Sequence, residues 1–386
     1  MTGTKPNGFL SDIGGGGTKG PPAHSTGLLP SQEIRALIRA REVQALEEIG
    51  EDQVQPASLD LRLGQEAWRV RTSFLPGSAA TVAERIAAFG MHRIDLGAGA
   101  VLEKGCVYVV PLMENLALRS RVSGMANPKS STGRLDVFTR LITDHCTVFD
   151  QVAPAYRGPL YAEMSPRTFS IVVGRGSRVN QLRLRRGSPP ATDTALRRLH
   201  ETVRLVDAGE SKADIDEGIA VTVDLRGESG RPIGWRARRH ADLIDLSRVD
   251  AYDPAEFWEP VHPDGRGVLI LNPGDFYILA SREAVTVPPD HAAEMRPYDT
   301  RVGEFRVHYA GFFDPGFGFA GTGGAGSRAV LEIRSFEVPF ALRDGQLVGR
   351  LVYERLTAVP DKLYGTTIGS SYQRQGLQLA KQFRRV

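Results

Sequence analysis

Two kinds of segment in this chain hold residues that could do chemistry. The first is NPKSSTGR, residues 127–134, which gathers Lys129, Ser130, Ser131 and Arg134 in one short polar run. Two cations, two hydroxyls and a glycine suit the oxygens of a phosphate chain, with loop N–H groups as donors and the guanidinium as a planar fork. RPYDTR, residues 296–301, keeps cations at both ends, Arg296 and Arg301, and has Pro297 and Tyr298 in place of the serines. On residue types alone, a solvated turn with capping serines is the commoner explanation of such a run.

The second is an acid inside an apolar strand. Glu332 follows Ala329, Val330 and Leu331 and precedes Ile333. Desolvation there disfavours the carboxylate, raises its pKa and suits it to carry protons near neutrality. Glu163, in PLYAE, is the corresponding acid earlier in the chain. Asp150, in VFDQVAPAYRG, and Asp314, in FFDPGFG, precede the two glutamates. For any single glutamate, the polar face of a half-buried strand or a structural arginine partner is the more frequent setting.

Recurrence changes the weight of both. VLEKGCVYVVPLMENLAL, residues 101–118, returns as ILNPGDFYILASREAVTV, residues 270–287, at a constant offset of 169. Leu102, Gly105, Tyr108 and Glu114 match Leu271, Gly274, Tyr277 and Glu283. The run Asp60, Leu61, Arg62 reappears as Asp224, Leu225, Arg226, and the segment from Gly176 aligns with that from Gly345. Each copy thus carries an arginine in a polar loop and then a glutamate in a strand, the mark of a duplicated β-rich module. Common ancestry explains the order, and structure alone could preserve it.

The elements that must position these residues are short. SQEIRALIRAREV, from Ser31 as N-cap, reads as an amphipathic helix through Ile34, Leu37 and Ile38. Period-two runs then dominate, separated by Gly, Pro and Asn, as in an all-β barrel or sandwich. The pattern predicts a Gly/Pro-rich disordered tail over 1–27, a β module over 28–190, a helical connector over 191–217, a second β module over 218–360 and a polar arm over 361–386. The glycine-rich run 316–327 reads as a long hairpin loop.

Composition narrows the function classes. With 386 residues, 41% hydrophobic and 24% charged, the chain has the make-up of a soluble protein of two or three domains. A net charge of +3 gives no footprint for nucleic acid or membrane. No apolar run reaches the ~18 residues of a membrane span, and no signal-peptide core is present. Cys106 and Cys146 support neither a disulfide framework nor a cysteine-rich zinc site, which fits a reducing cytoplasm. The spacings of zinc deaminases, zinc proteases, Walker loops and nucleophile elbows are missing. His145 and His308 read as structural.

The ordered set of motifs resembles the dCTP deaminases, which share a β-barrel with the trimeric dUTPases. PASLDLRLG is similar to that family's early strand, KSSTGRL to its R-S-S-x-x-R-L phosphate loop, and FFDPGFG with AVLEIRS to its D-P-G-W and V-L-E-F segments. LYGTTIGSSYQRQG, residues 363–376, is similar to the C-terminal arm that closes over the nucleotide. The long, duplicated form of the family is the nearest match.

The resemblance implies a mainly β fold of two tandem dUTPase-like barrel or jelly-roll modules, with few short helices and a helical connector. It implies hydrolytic deamination of dCTP to dUTP and ammonia, an opening of a cyclic-amidine C–N bond, without zinc. Lys129, Ser130 and Ser131 would take the triphosphate, Ser130 and Arg134 the attacking water, and Glu332 the proton. Asp314 would contact the deoxyribose side, and Tyr364 and Gln375 would be the arm's nucleotide contacts, Ser371 standing where many members have lysine. Glu163 and Asp150 are the alternative acids of copy one. Because family sites form between neighbouring barrels, Ser130, Ser131 and Arg134 of one copy are expected to face Asp314 and Glu332 of another. The reciprocal set, Arg296 and Arg301 with Asp150 and Glu163, is expected to be degenerate. Mg²⁺ would accompany the triphosphate, and a homo-oligomer of three chains with six barrels would complete the assembly. A dUTP diphosphatase, a bifunctional enzyme and a non-catalytic nucleotide-binding regulator are the competing readings.

Overall fold

Burial with period two organises the strands, as side chains alternating across a pleated sheet require. In Ser327–Ser335, residues Ser327, Ala329, Leu331, Ile333 and Ser335 are buried, and the alternate positions are half-exposed except Glu332. Something outside the sheet therefore covers that one acid. The computed structural model describes residues 24–119, 121–187, 192–207, 213–228, 230–297, 305–307, 311–322, 325–335, 337–365 and 377–385.

Among the described residues each module has two larger sheets of matching order and a small one, Ala100–Leu102 with Ile171–Val173 in module one and Val268–Leu271 with Phe340–Arg343 in module two. In module one, Gly90–Asp95, Glu66–Val70, Val107–Ala117, Arg157–Pro166 and Val137–Thr143 form one sheet, with Val43–Ala45 on the flank of Val107–Ala117. In module two the sequence is Trp258–Val261, Gly234–Ala237, Phe276–Val285, Ser327–Ser335 and Phe305–Val307, with Val206–Asp207 on the flank of Phe276–Val285. The second sheets pair Leu59–Arg62, Arg178–Arg186, Val122–Pro128 and Gln151–Val152 in one module, and Ile219–Thr222, Leu347–Arg355, His291–Pro297 and Phe312–Phe313 in the other. The fold is mainly β, in two tandem copies.

Registers confirm the offset of 169. Glu163 lies opposite Val109, and Glu332 opposite Ile278. The Tyr108 hydroxyl accepts from the Glu103 N–H and that of Tyr277 from the Asn272 N–H, at 2.9 and 3.2 Å. The repeated Asp-Leu-Arg run is a different matter. Glu114 accepts from the Arg62 N–H and Glu283 from the Thr222 N–H, both at 2.8 Å, so Thr222, not Arg226, is the counterpart of Arg62. Asp60 lies opposite Gln181 and Ala220 opposite Arg350, so Ala220 holds the place of Asp60. Asp224 instead accepts from the N–H groups of Arg226 and Gly227, closing a turn after the strand.

Three other expectations change in detail. The segment read as a connector forms the helix Asp193–Thr202 and the strand Val206–Asp207, and Leu196, Leu205 and Val206 enter the core of module two. It repeats the helix Ser31–Arg39 and strand Val43–Ala45 of module one, since Val43 faces Leu116 and Val206 faces Val285. Pro30, not Ser31, caps that first helix. The strands flanking the glycine-rich run belong to different sheets, so it is a crossover and not a hairpin. Residues 1–23 of the expected tail lie outside the described residues, while the His24 N–H donates to the Thr357 carbonyl and Gly27–Leu28 pairs with Arg185 and Arg186.

The modules share a core. Trp235, Phe257, Trp258, Phe276 and Ile278 of module two, with Leu379, Ala380 and Phe383 of the C-terminal segment, join the module-one cluster. Ile244–Asp245 adds a parallel strand to Ile171–Val173. No helix among the described residues is long and apolar enough to cross a membrane.

Candidate active site

The strand Val122–Pro128 delivers the loop. Lys129 caps the short helix Ser130–Gly133, its carbonyl accepting from the N–H groups of Thr132 and Gly133 at 2.8 and 3.0 Å. Ser130 is exposed, whereas Ser131, Thr132 and Arg134 are buried. The Lys129 ammonium is ion-paired with buried Asp60. Arg134 directs Nη1 to the carbonyls of Gln378 and Leu379, at 3.0 and 3.4 Å. Asp136, fully buried, holds Arg334 of the other module and accepts from the Thr168 hydroxyl at 2.6 Å.

That last ion pair brings the Glu332 strand under the module-one loop. Glu332 is only 4% exposed although it points away from its own module's core. Burial pushes its carboxyl up to about 8; the Arg134 charge draws it down and Asp136 pushes it up. A carboxyl of that kind can take and return a proton near neutral pH.

Asp314 enters the same region from the turn after Phe312–Phe313. Arg183 of module one donates to its carboxylate at 3.2 Å, to the Phe313 and Ala293 carbonyls at 2.9 Å each, and stacks 3.9 Å from the Phe312 ring. Burial raises the Asp314 carboxyl, Arg183 opposes that, and Asp60 and Lys129 both act on it. One short module-one loop thus acts on both module-two acids, Lys129 on Asp314 and Arg134 on Glu332. Tyr364 flanks it, its N–H donating to the Pro315 carbonyl at 2.9 Å and its ring 5.7 Å from Phe317.

The second set of acids has another environment. Burial raises the Glu163 carboxyl; it accepts from the Ser73 hydroxyl at 2.9 Å, and Arg140 and Arg167 of its own module draw it down. Asp150 pairs with Arg140 at 2.7 Å and is pushed up to about 7 by burial. Arg296 is exposed at the end of His291–Pro297, and its charge acts on Glu294. Arg301 and Gln375 lie outside the described residues, as do Ser371 and His308; His145 is exposed.

Asp150 is not the counterpart of Asp314. Val152 faces Gly124 and Phe313 faces Ala293, which places Ala153 where module two has Asp314. The turns agree: the Tyr156 N–H donates to the Ala153 carbonyl and the Phe317 N–H to that of Asp314, at 3.2 and 3.0 Å. Module one thus keeps the glutamate and lacks the aspartate.

Comparison with known proteins gives this arrangement a family. The profile described as "2'-deoxycytidine 5'-triphosphate deaminase (DCD) N-terminal domain" matches residues 25–188, and the corresponding C-terminal domain matches residues 192–383. The chain belongs to the 2'-deoxycytidine 5'-triphosphate deaminase family. A Halobacterium salinarum protein named "dCTP deaminase, dUMP-forming" is 34% identical over 180 residues, 45% of this chain and 86% of its own length. One of the same name from a Parafrankia species is 32% identical over 178 residues, 44% of this chain and 81% of its own. The crystal structure of 2'-deoxycytidine 5'-triphosphate deaminase from Agrobacterium tumefaciens is similar at a TM-score of 0.82 and 54% identity, covering 86% of this chain and all of that one.

Within this deaminase-family chain, sequence reading passed over Asp60, Arg183 and the carbonyls of Gln378 and Leu379. Arg183 sits in a basic run, NQLRLRR, that gives no sign of which arginine turns inward. The helix Val82–Phe89 was also missed, although Thr81 and Glu84 form a capping box whose T-x-x-E spacing is visible in the sequence. Among the described residues no group of three His, Cys, Asp or Glu side chains could hold a metal ion.

Proposed function

We propose that this chain deaminates dCTP hydrolytically, at a site made by the module-one loop and the module-two acids. The observation that carries the reading is the buried Glu332 carboxyl facing the charge of Arg134 from the other module. The triphosphate lies against Lys129, Ser130 and Ser131. A water held by Ser130 and Arg134 gives a proton to Glu332 as its oxygen attacks C4 of the cytosine. Glu332 passes the proton to N3, a tetrahedral intermediate forms, and the amine leaves as ammonia after a further proton transfer. General acid–base catalysis of this kind is worth about 10²–10⁴-fold. Orientation by the bound triphosphate and fixed polar groups supply the remainder.

Mg²⁺ rides on the triphosphate in this reading. Asp60, Asp136 and Asp314, the carboxylates around the loop, are each ion-paired, with Lys129, Arg334 and Arg183. No step passes through the metal. Free, half-buried Cys106 and Cys146 fit a cytoplasmic setting. In this reading the enzyme is a homo-oligomer of three chains.

Formation of dUMP is the second reading, favoured by the name "dUMP-forming" of several relatives. It adds attack by water at the α-phosphate. Incubating the full chain with dCTP and Mg²⁺, measuring ammonia and resolving dUTP from dUMP tests both. Ammonia with dUTP supports the first reading and ammonia with dUMP the second; nucleotide binding without ammonia overturns both and leaves a regulator.

A further inference from the structure

The C-terminal segment ends in an anchor that no motif of the chain announces. Phe383 is 4% exposed, with its ring 5.4 Å from Phe257, 5.9 Å from Trp258 and 6.3 Å from Tyr252. The two ring pairs with Phe257 and Trp258 are edge-on, the arrangement aromatic quadrupoles favour. Backbone bonds reinforce the seat. The Asp250 N–H donates to the Lys381 carbonyl at 2.9 Å, those of Ala251 and Tyr252 donate to the Gln382 carbonyl at 2.9 and 3.1 Å, and that of Arg384 donates to the Tyr252 carbonyl at 3.0 Å. Apart from Trp258, which opens the strand Trp258–Val261, these partners belong to the excursion between that strand and Gly234–Ala237.

A few residues upstream, the same segment supplies the carbonyls of Gln378 and Leu379 to Arg134 Nη1. Between anchor and carbonyls, Leu379 and Ala380 are buried in the module-one core. A guanidinium offers donors in a rigid plane, so two acceptors on one nitrogen limit both its position and its tilt. We propose that Phe383, held in its aromatic seat, is a positioning residue that fixes the Gln378 and Leu379 carbonyls and through them sets Arg134 opposite Glu332. The inference rests on the reading of Glu332 as the proton carrier.

The device is separable from the rest of the site. Two charges act on the Glu332 carboxyl, those of Arg134 and Asp136. Asp136 is held by Arg334 and Thr168, and among the described residues the hydrogen bonds that their side chains donate go to Asp136, to each other and to the Gly274 carbonyl. Loosening the tail therefore alters the arginine and leaves the aspartate in place.

The test is Phe383→Ala in the full chain, with Phe383→Trp and Phe383→Leu beside it. Loss of the anchor lowers kcat for dCTP by about 10- to 100-fold, the scale of a small misplacement at a reacting centre, with KM changed less than kcat. With Arg134 less closely set, the acid-side limb governed by Glu332 moves to higher pH by about one unit. Phe383→Trp, which refills the seat, restores both. A separate reading comes from ¹³C-labelled glutamate, in which the Glu332 carboxyl signal is identified by its loss in Glu332→Gln and titrated with and without the anchor. If the wild-type chain releases no ammonia but this titration moves in Phe383→Ala, the deaminase reading falls and the positioning role stands. A rate loss with an unmoved titration, or no change in either, overturns the positioning role. Should the alanine variant not fold, Phe383→Leu, which keeps an apolar plug, carries the same comparison.

Discussion

Glu163 and Glu332 occupy one position of a duplicated sheet, opposite Val109 and Ile278, yet they are covered from different sources. Over Glu163 lie Ser73 and Phe74 of its own module, beside a cluster that packs Phe74, Val82 and Ile86 of the helix Val82–Phe89 onto Tyr161. Over Glu332 lies the loop of the other module, with Arg134 and Asp136. The same residue in the same register is thus covered by local chain in one copy and by the other module's loop in the other.

Separate substitution of the two acids follows from that contrast. Glu332→Gln should lower ammonia release from dCTP by about 10²–10⁴-fold, the usual worth of a general acid–base group. Glu163→Gln should leave kcat within a few-fold, because Ser73 can donate to an amide oxygen as it does to the carboxylate. The opposite pattern in a steady-state assay would assign the site to module one.

Glu332 also makes a prediction about pH. As a base it works deprotonated, so kcat/KM should climb with pH up to about 8, the value to which burial raises it. Stability runs the other way. A carboxyl raised from its ordinary 4.5 to about 8 binds a proton in the fold that the unfolded chain has released. Its contribution is fully present below the unfolded value and is lost as pH rises through the folded one. Glu332→Gln cannot ionise, so its Tm relative to wild type should increase from pH 5 to pH 9, as followed by thermal unfolding in matched buffers.

The barrel strands, the loop at Lys129 and the acid at Glu332 were legible because their signals are local: alternation, residue type and repetition. The misreadings share a different cause. Asp60 with Asp224, and Asp150 with Asp314, look like pairs because short identical strings outweigh hydrogen-bond register, which only the sheets reveal through Thr222 and Ala153. The connector was expected to be helical and is, but its charged residues hide that a few apolar side chains, Leu196 among them, dock it in the core of module two. Arg183 and the tail carbonyls were invisible for a third reason. Their roles depend on which surfaces of two modules meet, and one chain's string of letters holds no statement of that.

Arg183 gives the clearest stability test of the meeting surface. Its guanidinium is 2% exposed and is paired with Asp314, which is 13% exposed. Removing one partner strands the other charge in the interior, so Arg183→Met should cost about 3–5 kcal/mol. Arg183→Lys keeps the charge but cannot serve the carboxylate and both carbonyls as a fork. Urea midpoints at constant m-value should therefore rank wild type above lysine above methionine.

Metal dependence should separate binding from chemistry. With Asp60, Asp136 and Asp314 each ion-paired to a cation, the proposed Mg²⁺ would be held chiefly by the triphosphate itself. An ion held that way screens charge between phosphates and the Lys129–Arg134 loop but sits away from C4. EDTA should then raise KM for dCTP several-fold while kcat at saturating nucleotide changes little. A zinc-selective chelator should alter neither if, as proposed, Glu332 carries the proton and Arg134 helps hold the water. Loss of kcat to that chelator, restored by added zinc, would require a different chemistry from the one these side chains provide.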